Sequence, residues 1–131
     1  MVEEYKLENV TLLPMQPSSL ATSIYSSASV NLIPLVSGGV RTALPSKTGV
    51  VLSCGKPTIF CFGNSCEFAS VLCDYEGVEN VDSNDEDELV SLIMRLYQDK
   101  VKTAQGAKEL FKTNFTRSKN VQRYIGCLEK I

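Results

Sequence analysis

The chain has 131 residues, 44% of them hydrophobic and 21% charged, with a net charge of −2 and no histidine. That composition fits one globular domain with a real core, and argues against a disordered chain or a basic nucleic-acid binder. The missing histidine excludes Ser-His and Cys-His nucleophilic machinery and histidine-ligated metals.

Residues 2–8 (VEEYKLE) are mostly charged and read as the last turns of a helix. Residues 9–14 (NVTLLP) form a short apolar run closed by proline, the pattern of a strand. A loop follows at MQPSS, where Ser18 or Ser19 can cap a helix running through Ser27, with Leu20, Ile24 and Ala28 on one face. Residues 29–36 (SVNLIPLV) are apolar at nearly every position and predict a strand covered on both faces.

Residues 37–49, SGGVRTALPSKTG, come next. A helix is predicted from about Pro45 to Cys54, with proline in its first turn and Gly55 as its C-cap. Residues 58–62 (TIFCF) predict a strand, Gly63-Asn-Ser a turn, residues 66–74 a helix and residues 77–82 a short strand. The acidic run 82–88 opens a long helix, where carboxylates suit the positive end; this reads as a helix terminus and not a catalytic pair. Its predicted apolar stripe is Leu89, Leu92, Ile93, Leu96 and Tyr97. Two further helices are expected over 101–112 and 118–131, hinged at residues 114–116. Tyr97, Phe111 and Phe115 read as packing residues, and Val121, Tyr124, Ile125 and Leu128 share a face of the final helix.

Alternating strands and helices predict an α/β fold: a Rossmann-like, three-layer parallel sheet with helices on both faces. In such sheets ligands sit at the carboxyl ends of the strands. The loops after the first three predicted strands, MQPSS, SGGVRTALPSK and GNSCE, are therefore expected to converge on one rim.

The second of these loops has the chemistry of a phosphate or diphosphate cradle. Gly38 and Gly39 let the backbone approach a ligand, Arg41 and Lys47 supply cations, and Ser46 supplies a hydroxyl. The N–H groups of Ser46, Lys47 and Thr48 are expected to be free at the start of the helix. A solvated surface turn is the competing reading, because this is neither a P-loop nor a GxGxxG fingerprint. Five cysteines, at 54, 61, 66, 73 and 127, are odd in number and make no CxxC pair. They read as buried free thiols in a reducing cytosol, so a cytoplasmic location is expected. No apolar run approaches the roughly 18 residues of a membrane span, and the acidic start MVEEYKLENV does not read as a leader.

Five ordered segments, ENVTLLPMQP, ASVNLIPLVSGG, LPSKTGVVLSCGKPTI, EGVENVDSNDEDELVSLIMRLYQD and KTNFTRSKNVQRYIGCLEKI, resemble the carboxyl-terminal half of family 4 GT-B glycosyltransferases. These are retaining enzymes that move sugars from nucleotide donors. The LPSK and SCGKP segments resemble the bacterial subgroup associated with capsule and exopolysaccharide synthesis.

The resemblance implies that residues 1–131 form one partial donor-binding domain, with the amino-terminal acceptor domain absent and Met1 close to an interior helix of the family. It places the donor base against Pro14, Met15 and Gln16, and the diphosphate against the loop from Gly38 to Lys47 through Pro45 and Ser46. Arg41 or Lys47 would carry the charge developing on the leaving diphosphate. The family's two sugar- and ribose-binding glutamates fall on Thr42 and Val50 here, and neither is a carboxylate. Glu67 is a spare carboxylate on the same rim, equally readable as a solvated helix-terminal charge.

No metal or resident cofactor is implied; the nucleotide-diphosphate sugar is the donor substrate. The implied partners are that nucleotide-sugar, the missing domain or an acceptor glycan, with membrane-surface association of the full enzyme and a homodimer through an open sheet edge or the last helix. Nucleic acid is not among them. A noncatalytic α/β binding or assembly module is the alternative, and a GT-B sugar-nucleotide epimerase a weaker third.

Overall fold

The computed structural model describes residues 2, 4–35, 44–63, 67–72, 74–99 and 103–130, with the backbone alone at residue 67. Three short strands, β1 (Asn31–Pro34), β2 (Thr58–Cys61) and β3 (Val78–Val81), form a parallel sheet in that order. Asn31 lies opposite Thr58, and Thr58 opposite Val78.

Strand β2 is central and buried at every position, as its unbroken TIFC run requires. Its side chains alternate between faces. Phe60 joins Ile33 and Val78 on one face, against Val51 and Leu52 of α2 (Thr48–Ser53), Ala69 and Leu72 of α3 (Glu67–Leu72), and Ala107 and Leu110 of α5 (Gln105–Asn114). Ile59 and Cys61 join Val81 on the other face, under Leu96 of α4 (Glu86–Gln98). Helices therefore lie on both faces of a parallel sheet, a Rossmann-like arrangement built on three strands. Ile33, Leu52, Phe60, Leu72 and Leu110 are fully buried, each contributing about 1.5–3 kcal/mol of transfer free energy.

Strand β1 is half-covered, not covered on both faces as its sequence suggests. Asn31 and Ile33 are buried, whereas Leu32 is 44% exposed. The strand lies at the edge of the described sheet, and α4 on the second face is seated over β2 and β3. The N–H groups of Asn31 and Leu35 donate to Pro57 and Cys61 carbonyls at 2.8 and 3.2 Å, so Leu32 and Pro34 face the open edge. Pro34 has no N–H to offer there, which blunts the edge.

That edge also accounts for an expected strand that does not form. Residues 9–14 make no ladder, and Leu12 and Leu13 are 76% and 68% exposed. A strand there needs the outer edge of β1, and both runs end in proline. The expected helical turns at residues 2–8 are also absent. Leu7 N–H donates to the Val2 carbonyl at 3.1 Å, and Lys6 adopts a φ of 51°, which no helix tolerates.

A 3-10 turn (Ser18–Leu20) leads into α1 (Ala21–Ser27), and neither Ser18 nor Ser19 caps it through a side chain. The tighter first turn rotates the helix relative to an ideal α pattern. Tyr25 packs on the core, while Leu20 and Ile24 are 44% and 38% exposed.

Helix α4 uses Leu89, Leu92 and Leu96 against the sheet and leaves Ile93 and Tyr97 outward. Tyr97, expected to pack, is 75% exposed: it follows Leu96 by one residue and so points about 100° round the helix from the side chain that meets the sheet. Phe111 and Phe115 do pack on the core, and Phe115 meets Phe68 edge-on at 5.8 Å. Helix α5 starts at Gln105, with the Ala104 N–H held by the Gly55 carbonyl at 2.9 Å. A methyl group on Gly106 would strike the backbone of Glu76, so α5 is seated directly on the chain entering β3. Helix α6 (Arg117–Leu128) follows the expected hinge and buries none of its residues. Among the described residues no helix is long and apolar enough to cross a membrane.

Candidate functional site

The carboxyl ends of β1, β2 and β3 define one end of the parallel sheet. Four expected cradle residues, Gly38, Gly39, Arg41 and Thr42, lie outside the described residues. The segment is described from Leu44 onward. Pro45 is half-buried, and Ser46 and Lys47 are exposed in the turn that enters α2. Lys47 is the residue before the helix, and its carbonyl accepts from Val51 N–H at 3.0 Å.

Helix α2 starts at Thr48, later than the proline suggests, and has six residues. The turn is closed internally: Thr48 N–H donates to the Pro45 carbonyl at 3.0 Å. That N–H, expected to be free for an anion, is therefore engaged. The Thr48 side chain is 1% exposed, and its hydroxyl oxygen has no hydrogen-bond partner. Val50, at one of the two expected glutamate positions, is 39% exposed and offers no polar group beyond its backbone.

Pro14, Met15 and Gln16 are exposed, Met15 at 99%, and Gln16 Nε2 donates to the Pro14 carbonyl at 2.9 Å. Because residues 9–14 form no strand, these three do not sit at the carboxyl end of one. Of the three loops expected on the rim, two leave strands of this sheet. Glu67 is the first residue of α3, following β2, as Ser46 and Lys47 precede α2, following β1.

The described part of the rim is organised by residues that sequence reasoning did not single out. Asn80 Nδ2 donates to the Gly63 carbonyl at 2.8 Å, and Gly63 N–H donates to the Val81 carbonyl at 2.8 Å. Gly63 has a φ of 62°, and a methyl group there would lie 2.7 Å from Asp82 Oδ2. Asp82 Oδ1 accepts from the backbone N–H and the side-chain amide of Asn84 at 2.9 and 3.2 Å. Asn80 Oδ1 is buried without a partner. The signal was available in the alternation of VENV, which puts an amide in the same register as the core residue Val78.

Among the described residues Cys54, Cys61 and Cys127 are free thiols. Cys54 Sγ donates to the Val50 carbonyl at 3.3 Å and the Thr22 carbonyl at 3.7 Å, which links α2 to α1. Burial pushes the Cys61 thiol above its ordinary value. Cys127 is exposed, contrary to the expectation of buried thiols, as α6 buries none of its residues. No group of three potential metal ligands occurs among the described residues.

No family model, curated protein or solved structure matches this chain. What the fold defines is a class: an α/β protein with a three-stranded parallel sheet flanked by helices.

Proposed function

We propose that the chain is the donor-nucleotide-binding part of a retaining, GT-B-type glycosyltransferase. The reading is carried by one observation: an exposed Ser46-Lys47 turn enters α2, the helix that follows the parallel strand β1, and the sequence between strand and turn holds two glycines and an arginine. Loops at the carboxyl ends of parallel strands are where phosphorylated ligands bind in α/β sheets. Lys47 would hold a diphosphate oxygen as a point charge, and Ser46 would add a hydroxyl donor. In transfer, an acceptor hydroxyl attacks the anomeric carbon and the nucleoside diphosphate leaves. A cation beside that leaving group stabilises the developing charge by about 3 kcal/mol when desolvated. The acceptor-binding half is not in this chain, so the chain by itself is expected to have little transferase activity.

Two observations favour the noncatalytic binding-module reading. Val50 presents an aliphatic side chain where the family places a glutamate, and the Thr48 N–H is already bonded to Pro45. Calorimetric titration with UDP and GDP, on the wild type, Arg41→Ala and Lys47→Ala, decides between them. Binding that weakens about tenfold or more in either variant supports the donor-binding reading. No heat from folded wild type, or binding indifferent to both substitutions, removes it.

A further inference from the structure

Residues 10–15, Val-Thr-Leu-Leu-Pro-Met, share the pattern of residues 30–35, Val-Asn-Leu-Ile-Pro-Leu. The later run builds β1. The earlier one stands off the sheet, with Val10, Leu12, Leu13 and Met15 exposed. Among the described residues no segment pairs with the outer edge of β1. Asn31 and Leu35 turn their N–H groups to β2, so the alternation of a strand turns the backbone groups of Val30, Leu32 and Pro34 outward. That edge offers the Leu32 N–H and the carbonyls of all three residues, beside an exposed Leu32 side chain.

Handedness decides what belongs there. The units β1–α2–β2 and β2–α3–β3 both place their helix on the sheet face that carries Phe60. A strand ahead of α1 and outside β1 continues that series, and right-handed crossover then requires α1 on this same face. Helix α1 is there. Tyr25 packs on the Phe60 cluster, and its carbonyl accepts from Asn31 Nδ2 at 3.2 Å. The Thr22 carbonyl accepts from Cys54 Sγ, at the end of α2, at 3.7 Å. Helix α1 is thus seated as the crossover of a strand-helix-strand unit whose first strand stands off.

We infer that residues 10–15 are a latch that closes along the outer edge of β1, parallel to it, with Leu12 beside Leu32. In this register the N–H groups of Thr11, Leu13 and Met15 donate to the carbonyls of Val30, Leu32 and Pro34, and the Leu32 N–H donates to the Thr11 carbonyl. Pro14 lies beside Pro34 with its ring nitrogen turned away from β1, which a sheet edge tolerates. The Leu12 side chain covers Leu32. Pro34 has no N–H for the Leu13 carbonyl, so the ladder is incomplete, and its few bonds are set against the ordering of the whole segment. That balance lets the segment stand off in one state and close in another. The proposal uses no residue of the Ser46-Lys47 turn and stands independently of the nucleotide reading.

Nuclear magnetic resonance of the full chain tests the inference. Closure predicts methyl-to-methyl Overhauser contacts between Leu12 and Leu32, and exchange of the Leu32 amide slowed about tenfold or more from its unfolded rate. Protection should alternate along the latch, with Thr11 and Leu13 slow and Val10 and Leu12 fast. Thr11→Pro removes a donor to β1, and should abolish the contacts and return Leu32 to fast exchange. Val10→Pro, whose N–H faces away from β1, should leave both in place. Both residues are exposed, so neither variant should change the circular dichroism spectrum. A Leu32 amide that exchanges at the unfolded rate without contact to Leu12 overturns the inference, as do equal effects of the two prolines. Contacts that arise only between differently labelled molecules in a mixed sample put the segment on another copy, and overturn it too.

Discussion

Asn80 and Gly63 lie seventeen residues apart and are joined by a 2.8 Å hydrogen bond from the Asn80 side-chain amide to the Gly63 carbonyl. The bond ties the exit of β2 to the last residues of β3, and so sets where the rim loop begins. Its acceptor carbonyl belongs to a residue whose φ of 62° suits glycine. Removing the amide frees that carbonyl and unfastens the loop. Asn80→Ala is expected to cost about 1 kcal/mol, the net value of one part-buried hydrogen bond. The check is the urea midpoint at constant m-value; a midpoint equal to wild type would show that water replaces the amide without loss.

The acidic run before α4 holds two carboxylates that accept backbone N–H groups, Asp82 from Asn84 and Asp85 from Glu88. Asp85 is the N-cap, and its Oδ1 accepts the Glu88 N–H at 2.9 Å. Glu86, Asp87 and Glu88 sit in the first turn and contribute through the helix dipole. Asp85→Ala should therefore destabilise by about 1 kcal/mol, and Asp85→Asn by much less, because asparagine caps comparably. Thermal melts of both variants beside Asp87→Ala test the assignment. Equal melting temperatures for Asp85→Ala and Asp87→Ala would count against it.

Cys61 provides a pH dependence with a definite sign. Burial raises its folded-state pKa above the ordinary 9.0, so the thiolate is disfavoured more in the folded state than in the unfolded one. Its contribution is complete below the unfolded pKa and is lost as pH rises through the folded one. Urea midpoints should be flat for this group near neutrality and fall above about pH 9, and Cys61→Ala should fall less steeply. A thiol reagent at neutral pH should label exposed Cys127 at once and Cys61 only after unfolding. Rapid modification of Cys61 in the folded protein would contradict its burial.

Residues 58–62 and 86–98 were legible because each carries one pattern along its length, an unbroken β-forming run and a helical repeat, whereas residues 78–81 are buried only at their two ends. TIFC is buried at every position as the central strand; the leucines of α4 recur at helical spacing and became its buried face. The amino-terminal reading failed for a reason no window of residues contains. NVTLLP has the composition of a strand, but a strand exists only where a neighbour offers an unpaired edge, and β1 presents an edge that carries Pro34. The face of α1 was misjudged by one position because a 3-10 turn starts it.

The same division runs through the candidate site. By itself the sequence determined which residue types stand in the loop before α2, the absence of histidine chemistry, and the order of strands and helices that makes a parallel sheet the economical solution. Those properties are local: they follow from side-chain chemistry and from periods of two and 3.6 residues. Only the tertiary structure decided that Thr48 spends its N–H on Pro45, that Asn80 reaches Gly63, and that the apolar face of α6 is left facing water. Each of these depends on which distant segment arrives beside a given residue, and that is settled by the packing of the sheet and its helices together.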